Sequence, residues 1–452
     1  MINRSLILSG AGILALLLGI LVVLLIWNKP VLVIYIQLAY CCFMRFLITQ
    51  LRFPEFIKYM SDFLTIILLI QIILKFHKTK TLNIRKPLFF IVLFTAVSVF
   101  STLFNRASFI FFFWGARSYF RFFVFFLACT IFLKTENIDR LLKFLLALLP
   151  VNTVLALYQF FVMGLADDFV GGLFGTSAGC NAEMYMYLIS VCLVTIVYYV
   201  KNKMSIYSLI SNIAMAGIIS SVSELKIVFL VLPFILIAVF IFTFPNKRAI
   251  TMFVMTMSLL IVTFAIFLVL YPEWVGDLSS FSGFMEHTVE DKYAGEYSLG
   301  RFTAGPFIFQ NILTTIPQKL FGVGFGNADS FLFFESDAFM RYAFLAYELF
   351  TYSLLLFEIG IVGLVFYCLF FLSLLFESLR IKRKIKPAYS SYCMITLIIS
   401  MLIFQFIVYN QSMYMDCAFI CFFLLAFPFI LEKESYEHDL ISVKLSLDNN
   451  TE

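Results

Sequence analysis

An all-α fold, a polytopic bundle of about 12–13 membrane-spanning helices with one large outer loop, is what this sequence predicts on three observations. The first is composition: 62% of the 452 residues are hydrophobic and 13% are charged, against about 45–50% and about 25% in a soluble domain. The second is the mean hydropathy of +1.00 together with 59 Phe, which leaves too few polar side chains to cover a surface facing water. Soluble and disordered classes are excluded on these two grounds. The third is that apolar runs of span length recur along the chain, while the alternating pattern of a membrane barrel strand is absent.

Taken in order, the runs are 5–27, 31–51, 61–76, 87–104, 108–133, 141–164, 182–200, 204–221, 226–244, 249–271, 344–376, 389–410 and 413–431. The run 5–27 is too long for a signal-peptide core and has no small-residue cleavage site behind it, so it is expected to stay as a span. Residues 1–431 then form a single integral-membrane domain, followed by a short polar cytoplasmic tail, 432–452. No internal repeat or low-complexity segment is visible.

Orientation follows from the connectors. Those carrying Lys78–Lys86, Lys201–Lys203, Lys247–Arg248 and Arg380–Lys386 are basic and are expected on the cytoplasmic side. The connectors around 165–181, 220–226 and 272–343 then face outward. Pro272–Tyr342 carries nine acidic and four basic side chains, which suits an outer loop. At about 70 residues it is near the lower limit for independent folding. Its apolar stretch Phe302–Phe321 is expected to form one or two helices on or dipping into the membrane, ended by Gly322, Gly324 and Gly326. Parity is awkward at the start: thirteen spans place the connector with Arg52 and Lys58 outside, against the charge rule.

Charge inside a span costs a few kcal/mol on the insertion scale, so buried ionisable groups are functional candidates. Arg117 and Arg121, four residues apart in FFFWGARSYFRFFVFF, share one helix face. Their guanidinium forks suit phosphate oxygens, or else they pair with a carboxylate such as Asp62. Glu224 and Lys226 follow Ser220, Ser221 and Ser223 at the mouth of two spans. Lys226 there either anchors a helix start or meets an anionic headgroup. Arg301 opens FTAGPFIFQNIL and either reaches into the bundle or balances Glu296. Arg341 and Glu348, seven residues apart, are expected on one face of the next span, where they form a local ion pair or a site. Glu358 lies deeper and needs a partner. Asn181 and Glu183 follow the turn VGGLFGTSAGC as N-cap and first turn, or as polar ligands.

Soluble-enzyme signatures are missing: no GxSxG elbow, Walker loop, HExxH or dinucleotide fingerprint occurs. His77 and His438 are expected on the cytoplasmic side and His287 outside, which excludes a three-histidine metal site. The nine cysteines show no CxxC pair and read as small apolar fillers. The basic runs are short and pinned beside spans, so no nucleic-acid partner is expected.

Five stretches carry a resemblance. They are FPEFIKYMSDFLTIILL, LFNRASFIFFFWGARSYFRFFVFF, GGLFGTSAGCNAEMYMYL, SSVSELKIVFLVLP, and GRFTAGPFIFQNILTTIPQKLFGVGFGNADS with its downstream FEIGIVGL. In this order, over roughly residues 50–380, the chain resembles the bacterial O-antigen polymerase and O-antigen ligase superfamily, which includes capsular and exopolysaccharide repeat-unit polymerases.

The resemblance implies a glycosyltransferase of the bacterial cytoplasmic membrane that polymerises undecaprenyl-pyrophosphate-linked oligosaccharide repeat units at the outer face. It implies no cofactor, no metal and no nucleotide sugar. Its partners are the lipid-linked glycan, membrane lipid, a chain-length regulator and a flippase. The family's pyrophosphate-binding cations fall on Lys226 and Arg301, with Arg117 as a third, and Arg121, Asn181, Glu224 and Arg341 are further substrate-binding candidates. Ligases of this family keep a histidine shortly before the Glu-x-Gly of the return helix. Here that neighbourhood reads RYAFLAYELFTYSLLLFEIG, with Glu348 and no histidine, which favours a polymerase with Glu348 as base. The alternatives are an O-antigen ligase, a lipid-linked sugar flippase or transporter, and a channel or structural subunit. Transporters often repeat in two halves, and none is visible here.

Overall fold

A chain segment in hydrocarbon has to satisfy its backbone N–H and C=O groups within itself, and long apolar runs therefore become helices. In the computed structural model, residues 27–75, 84–243, 246–272, 297–331 and 334–436 are described. The 5–27 run apart from Trp27, all three histidines, Lys78, Lys80 and most of the acidic part of the outer loop, including Glu296, lie outside these residues. So does 437–452 of the expected tail.

The first nine long helices are α1 (Pro30–Thr49), α2 (Met60–Lys75), α3 (Arg85–Phe104), α4 (Phe109–Phe132), α5 (Thr135–Phe161), α6 (Cys180–Val200), α7 (Ile206–Val222), α8 (Lys226–Thr243) and α9 (Lys247–Leu270). Their starts are marked by local chemistry. Pro30 opens α1 where no N–H is needed. Ser108, Ser205 and Asn246 accept hydrogen bonds from the first turns of α4, α7 and α9.

The outer loop folds as α10 (Ala304–Phe307), running on into a wide turn Ile308–Ile312, and then α11 (Ile316–Phe321). Thr315 and Gln318 form the reciprocal cap of α11. A two-residue hairpin pairs β1 (Ser330–Phe331) with β2 (Phe334–Glu335), and α12 (Asp337–Tyr342) follows. Three more helices close the chain: α13 (Thr351–Lys382), α14 (Ser390–Tyr409) and α15 (Ala418–Leu425), the last continued by a second piece over 427–436.

Among the described residues, ten helices are long and apolar enough to cross a membrane. The seventeen-residue α7 and the two-piece segment 418–436 complete the up-and-down order. The protein is thus an all-α, multi-pass membrane bundle, as the composition predicts. The most apolar stretch of α6 is 100% buried and that of α14 is 78% buried, whereas the other eight are at most 44% buried. Helix α6 is therefore the axis of the bundle, and the exposed Phe, Leu, Ile and Val of the outer helices form the surface that faces lipid.

Contacts among the described residues sort the helix ends into two groups. At the first end Thr176 N donates to Thr49 Oγ1 at 3.2 Å, Tyr271 Oη to Val222 O at 3.3 Å, and Thr351 N to Asn410 O at 3.1 Å. At the second, Tyr198 and Tyr392 both donate to Asp139, at 2.9 and 2.7 Å. Lys86 there pairs with Glu377 at 2.9 Å, and Lys433 Nζ donates to the C-terminal carbonyls of α4 at 2.8–3.0 Å. The second end carries the basic connectors and is called the basic end; the first is called the loop end. The Arg52–Lys58 connector sits at the loop end, because Tyr40 Oη reaches Ile57 O at 2.5 Å.

Several expected boundaries move, among them the run 141–164, whose helix is Thr135–Phe161. The run 344–376 becomes a helix only at Thr351 and continues to Lys382. Residues 343–349 are instead two tight 3-10 turns, separated by Ala346 at φ 52°. Leu299 N donates to Leu345 O at 2.9 Å, and Tyr347 Oη donates to Ala328 O at 2.6 Å. These tertiary bonds draw the segment away from a continuous helix. The last run likewise starts later than 413, because 411–417 forms a chain of turns before α15.

Helix α13 is itself broken at Gly360, whose φ of 66° and ψ of −170° are not helical. The break frees carbonyls that the outer loop then satisfies: Val323 N donates to Phe357 O and Gly324 N to Glu358 O, both at 3.0 Å. A Cβ on Gly360 would collide with the Leu320 carbonyl, and one on Gly322 with that of Glu358. The two backbones cross in direct contact, and only glycine permits it.

Candidate functional site

All eight candidate site residues of the sequence lie at the loop end, but not as one cluster. Arg117 and Arg121 do share a face of α4, and their partners are carboxylates. Arg117 Nε donates to Asp62 Oδ2 at 2.5 Å, with its guanidinium 4.8 Å from the Tyr59 ring centroid and 5.3 Å from that of Trp114. Arg121 Nη1 is 3.6 Å from Asp62 Oδ1 and 2.6 Å from Asp416 Oδ1. Its Nη2 donates to Tyr414 O at 3.1 Å.

A third arginine, Arg45 of α1, completes this group. It pairs with Glu183 in the first turn of α6 and donates to Ser177 Oγ at 3.0 Å. Three arginines and three carboxylates from five segments thus gather here in two ion-paired groups, with Arg121, Glu183 and Asp416 buried and Arg45, Arg117 and Asp62 partly exposed. The sequence reading missed Arg45 and Asp416. The available signal was the same one that flagged Arg117, namely an ionisable residue inside an apolar run.

Asn181 does not cap α6. Gly179 precedes the helix, and Asn181 Nδ2 donates instead to Asp168 Oδ1 at 2.7 Å. The turn that holds it is fixed from α5: Gln159 exchanges two hydrogen bonds with Gly172, at 2.9 and 2.7 Å, and Asn152 Oδ1 accepts from Leu173 N at 2.8 Å. Lys226 opens α8, and its Nζ is 2.8 Å from Glu224 Oε1. Burial pushes the Glu224 carboxyl up to about 7, with a hydrogen bond to Asp167 acting the same way.

Arg301 lies in the turn before α10. Its Nε donates to Tyr409 O at 3.2 Å, and its guanidinium stacks 4.1 Å from the Tyr409 ring. Tyr409 in turn packs on Tyr185 of α6 at 5.8 Å, which places Arg301 over the top of the central helix.

Arg341 and Glu348 do not share a face. Arg341 ends α12, Ala346 reverses the chain, and Glu348 sits in the next turn. Of the two readings, the local ion pair is not formed, and the two residues take separate positions. Glu348 Oε2 is buried without a hydrogen-bond partner among the described residues, and burial raises the pKa of its carboxyl.

Sequence reading also missed Asp329, which is 7% exposed. Burial pushes its carboxyl up to about 7, opposed by the hydrogen bond that Ser330 N donates at 2.8 Å, with the charge of Glu348 adding to the rise and that of Arg117 countering it. Its place is fixed from both sides. Ala328 O accepts from Tyr347 Oη, and Phe331 stacks on Trp114 at 5.8 Å. Nothing in the polar turn GNADS distinguishes Asp329 from a solvated loop residue, and only the fold buries it. Glu358 is also buried, and its Oε2 has no hydrogen-bond partner among the described residues.

Among the described residues, no group of three His, Cys, Asp or Glu side chains is placed to hold a metal ion. In comparisons with known proteins, no family model matches the chain, and no curated protein matches it significantly.

Proposed function

We propose that the protein is a membrane glycosyltransferase that polymerises undecaprenyl-pyrophosphate-linked oligosaccharide repeat units at the outer face of a bacterial cytoplasmic membrane. The observation that carries this reading is the gathering of Lys226, Arg301 and Glu348 at one end of the bundle, each in or beside a break in helix. Lys226 follows Glu224 at φ 52°, Arg301 precedes α10, and Glu348 follows the reversal at Ala346. Such breaks present side chains and backbone groups to a ligand, which a continuous membrane helix does not. The resemblance in segment order supplies the substrate class.

The reaction this assigns is a displacement at the donor's anomeric carbon. An acceptor hydroxyl forms the new C–O bond, and the bond from that carbon to the pyrophosphate oxygen breaks. The hydroxyl proton passes to Glu348, and the undecaprenyl pyrophosphate departs with its charge held by Lys226 and Arg301. Arg117, held by Asp62, is a third cation at this end, and the ion pairs of Arg45 and Arg121 hold α1, α2, α4 and α6 in register beneath it. Asn181 and Glu224 sit on the Lys226 side of the mouth, where they orient the donor's polar groups.

Lys226→Ala and Arg301→Ala test the reading directly. Losing one preorganised charge on a leaving group costs about 2.7–4 kcal/mol by analogy with a lost oxyanion donor. Each variant should stop chain growth and accumulate single lipid-linked repeat units at normal protein level, and Arg301→Lys should recover only part of the activity. Full-length polymer in both alanine variants overturns the assignment.

A further inference from the structure

A pocket of about 680 Å³ opens at the loop end between α11 and α12, lined in part by Gln318, Asn327, Asp337, Arg341, Tyr342 and Phe357. We infer that this pocket holds the acceptor glycan, presenting its reactive hydroxyl toward the turn that bears Glu348. The inference deepens the glycosyltransferase reading and rests on it.

Size is the first argument: the volume falls within the range of about 300–1,000 Å³ that small-molecule sites occupy. Chemistry is the second. A lipid tail would favour a uniformly apolar wall, and a pyrophosphate would favour surplus cations. Beside the aliphatic Ile312, Val323, Ala338 and Met340, this wall has one acid, Asp337, balanced by one base, Arg341, together with two carboxamides and two aromatic rings. Carboxamides, a carboxylate and a guanidinium supply donors and acceptors for a neutral, hydroxyl-rich ligand, and the rings offer flat apolar faces to its C–H surfaces.

Position and rigidity complete the case. The Phe357 ring stands 5.8 Å from Tyr342 and 5.1 Å from Tyr347, so one wall of the pocket is also the support of the residue before Glu348. Asn327 comes two residues before Asp329, so the floor of the pocket leads to that second buried carboxylate. The floor is preformed: Asn327 N donates to Gly324 O, Asn327 Nδ2 to Val323 O, and Val323 N to Phe357 O, all at 3.0 Å. A preordered floor spares the ordering cost on binding.

The test uses the full chain in lipid nanodiscs. The probe is a fluorescently tagged oligosaccharide released from the host's own surface polysaccharide by partial acid hydrolysis, carrying no lipid and no phosphate. Ala338→Trp fills the pocket from α12, and Arg341→Gln removes its cation without adding bulk. Each should weaken oligosaccharide binding at least tenfold and raise the acceptor KM, with the melting temperature and donor-lipid binding unchanged. If the wild type binds the probe and both variants bind it equally well, or if the wild type elongates lipid-linked units without binding the probe, the pocket assignment falls and the glycosyltransferase reading stands. If the wild type neither binds the probe nor elongates, both fall. Should Ala338→Trp lower the melting temperature, Arg341→Gln alone decides.

Discussion

Arg121 of α4 lies 2.6 Å from Asp416, in the turns between α14 and α15, although 295 positions separate them in sequence. Both side chains are less than a tenth exposed. Breaking a buried pair by removing one partner costs about 3–5 kcal/mol, because a bare charge is left behind. Arg121→Met and Asp416→Leu should therefore each lower the melting temperature sharply in detergent. The double variant should recover most of the loss. A double variant that regains stability but not polymer synthesis would assign these charges to substrate binding, whereas recovery of both assigns them to the frame.

Glu348 offers the plainest test of the chemistry. General-base assistance contributes about 10²–10⁴-fold in rate. Glu348→Gln keeps the shape of the turn, so the protein should insert, bind donor lipid and elongate it slower by that factor. Wild-type elongation by purified Glu348→Gln would make Glu348 a structural residue, and Asp329 would be the next carboxylate to test.

Asp329 gives a pH signature. Its folded-state value near 7 lies above the ordinary value of 3.8, so between these pH values the folded protein holds a proton that the unfolded chain releases. The stability this confers is complete below about pH 4 and is lost as the pH rises through 7. Asp329→Asn removes the ionisation and should stabilise the protein at pH 8 by at most about 4 kcal/mol, with no gain at pH 4. Melting curves of the two proteins at both pH values check this. Equal melting temperatures at pH 8 would show that the carboxyl ionises without penalty.

Orientation follows from the two ends described above. The loop end should face outward and the basic end the cytoplasm. Native cysteines hardly interfere, since eight of nine are buried and Cys368 is half-buried. With these replaced, Asp337→Cys should react with an impermeant thiol reagent in intact cells, and Lys384→Cys only after lysis. The reverse pattern would move the site to the cytoplasmic face and end the proposed use of an exported lipid-linked donor.

The sequence carried the architecture because membrane solvation acts on composition and run length, and both are visible without a fold. It also sorted the connectors into two ends, since charge asymmetry is local to connectors, and the candidate cations share one of these ends. What it missed was set by distant contacts. A seven-residue spacing put Arg341 and Glu348 on one face only on the premise of a helix, and Leu299, arriving from the far side of the loop, takes the Leu345 carbonyl instead. The ligands of Arg121 were half visible: Asp62 stood in a neighbouring run, but Asp416 stood in a segment taken to be helical. Asp329 looked like a loop acid because its burial, with Tyr347 bonded to Ala328 and Trp114 stacked on Phe331 beside it, is a property of the folded neighbourhood alone.

The enclosure of α6 bears on how the molecule is made. Emerging as the sixth described helix, α6 must wait among lipids while the segments that enclose it are still being synthesised. Tyr185 finds its hydroxyl partner, Gln405 Oε1 at 2.7 Å, only when α14 arrives, and Thr195 waits for Asn212 of α7 at 3.1 Å. Until then these two groups are polar features on a helix bathed in hydrocarbon. Nascent chains arrested before α14 thus carry an unsheathed flank, which makes the late helices as necessary to the biogenesis of the molecule as to its finished form.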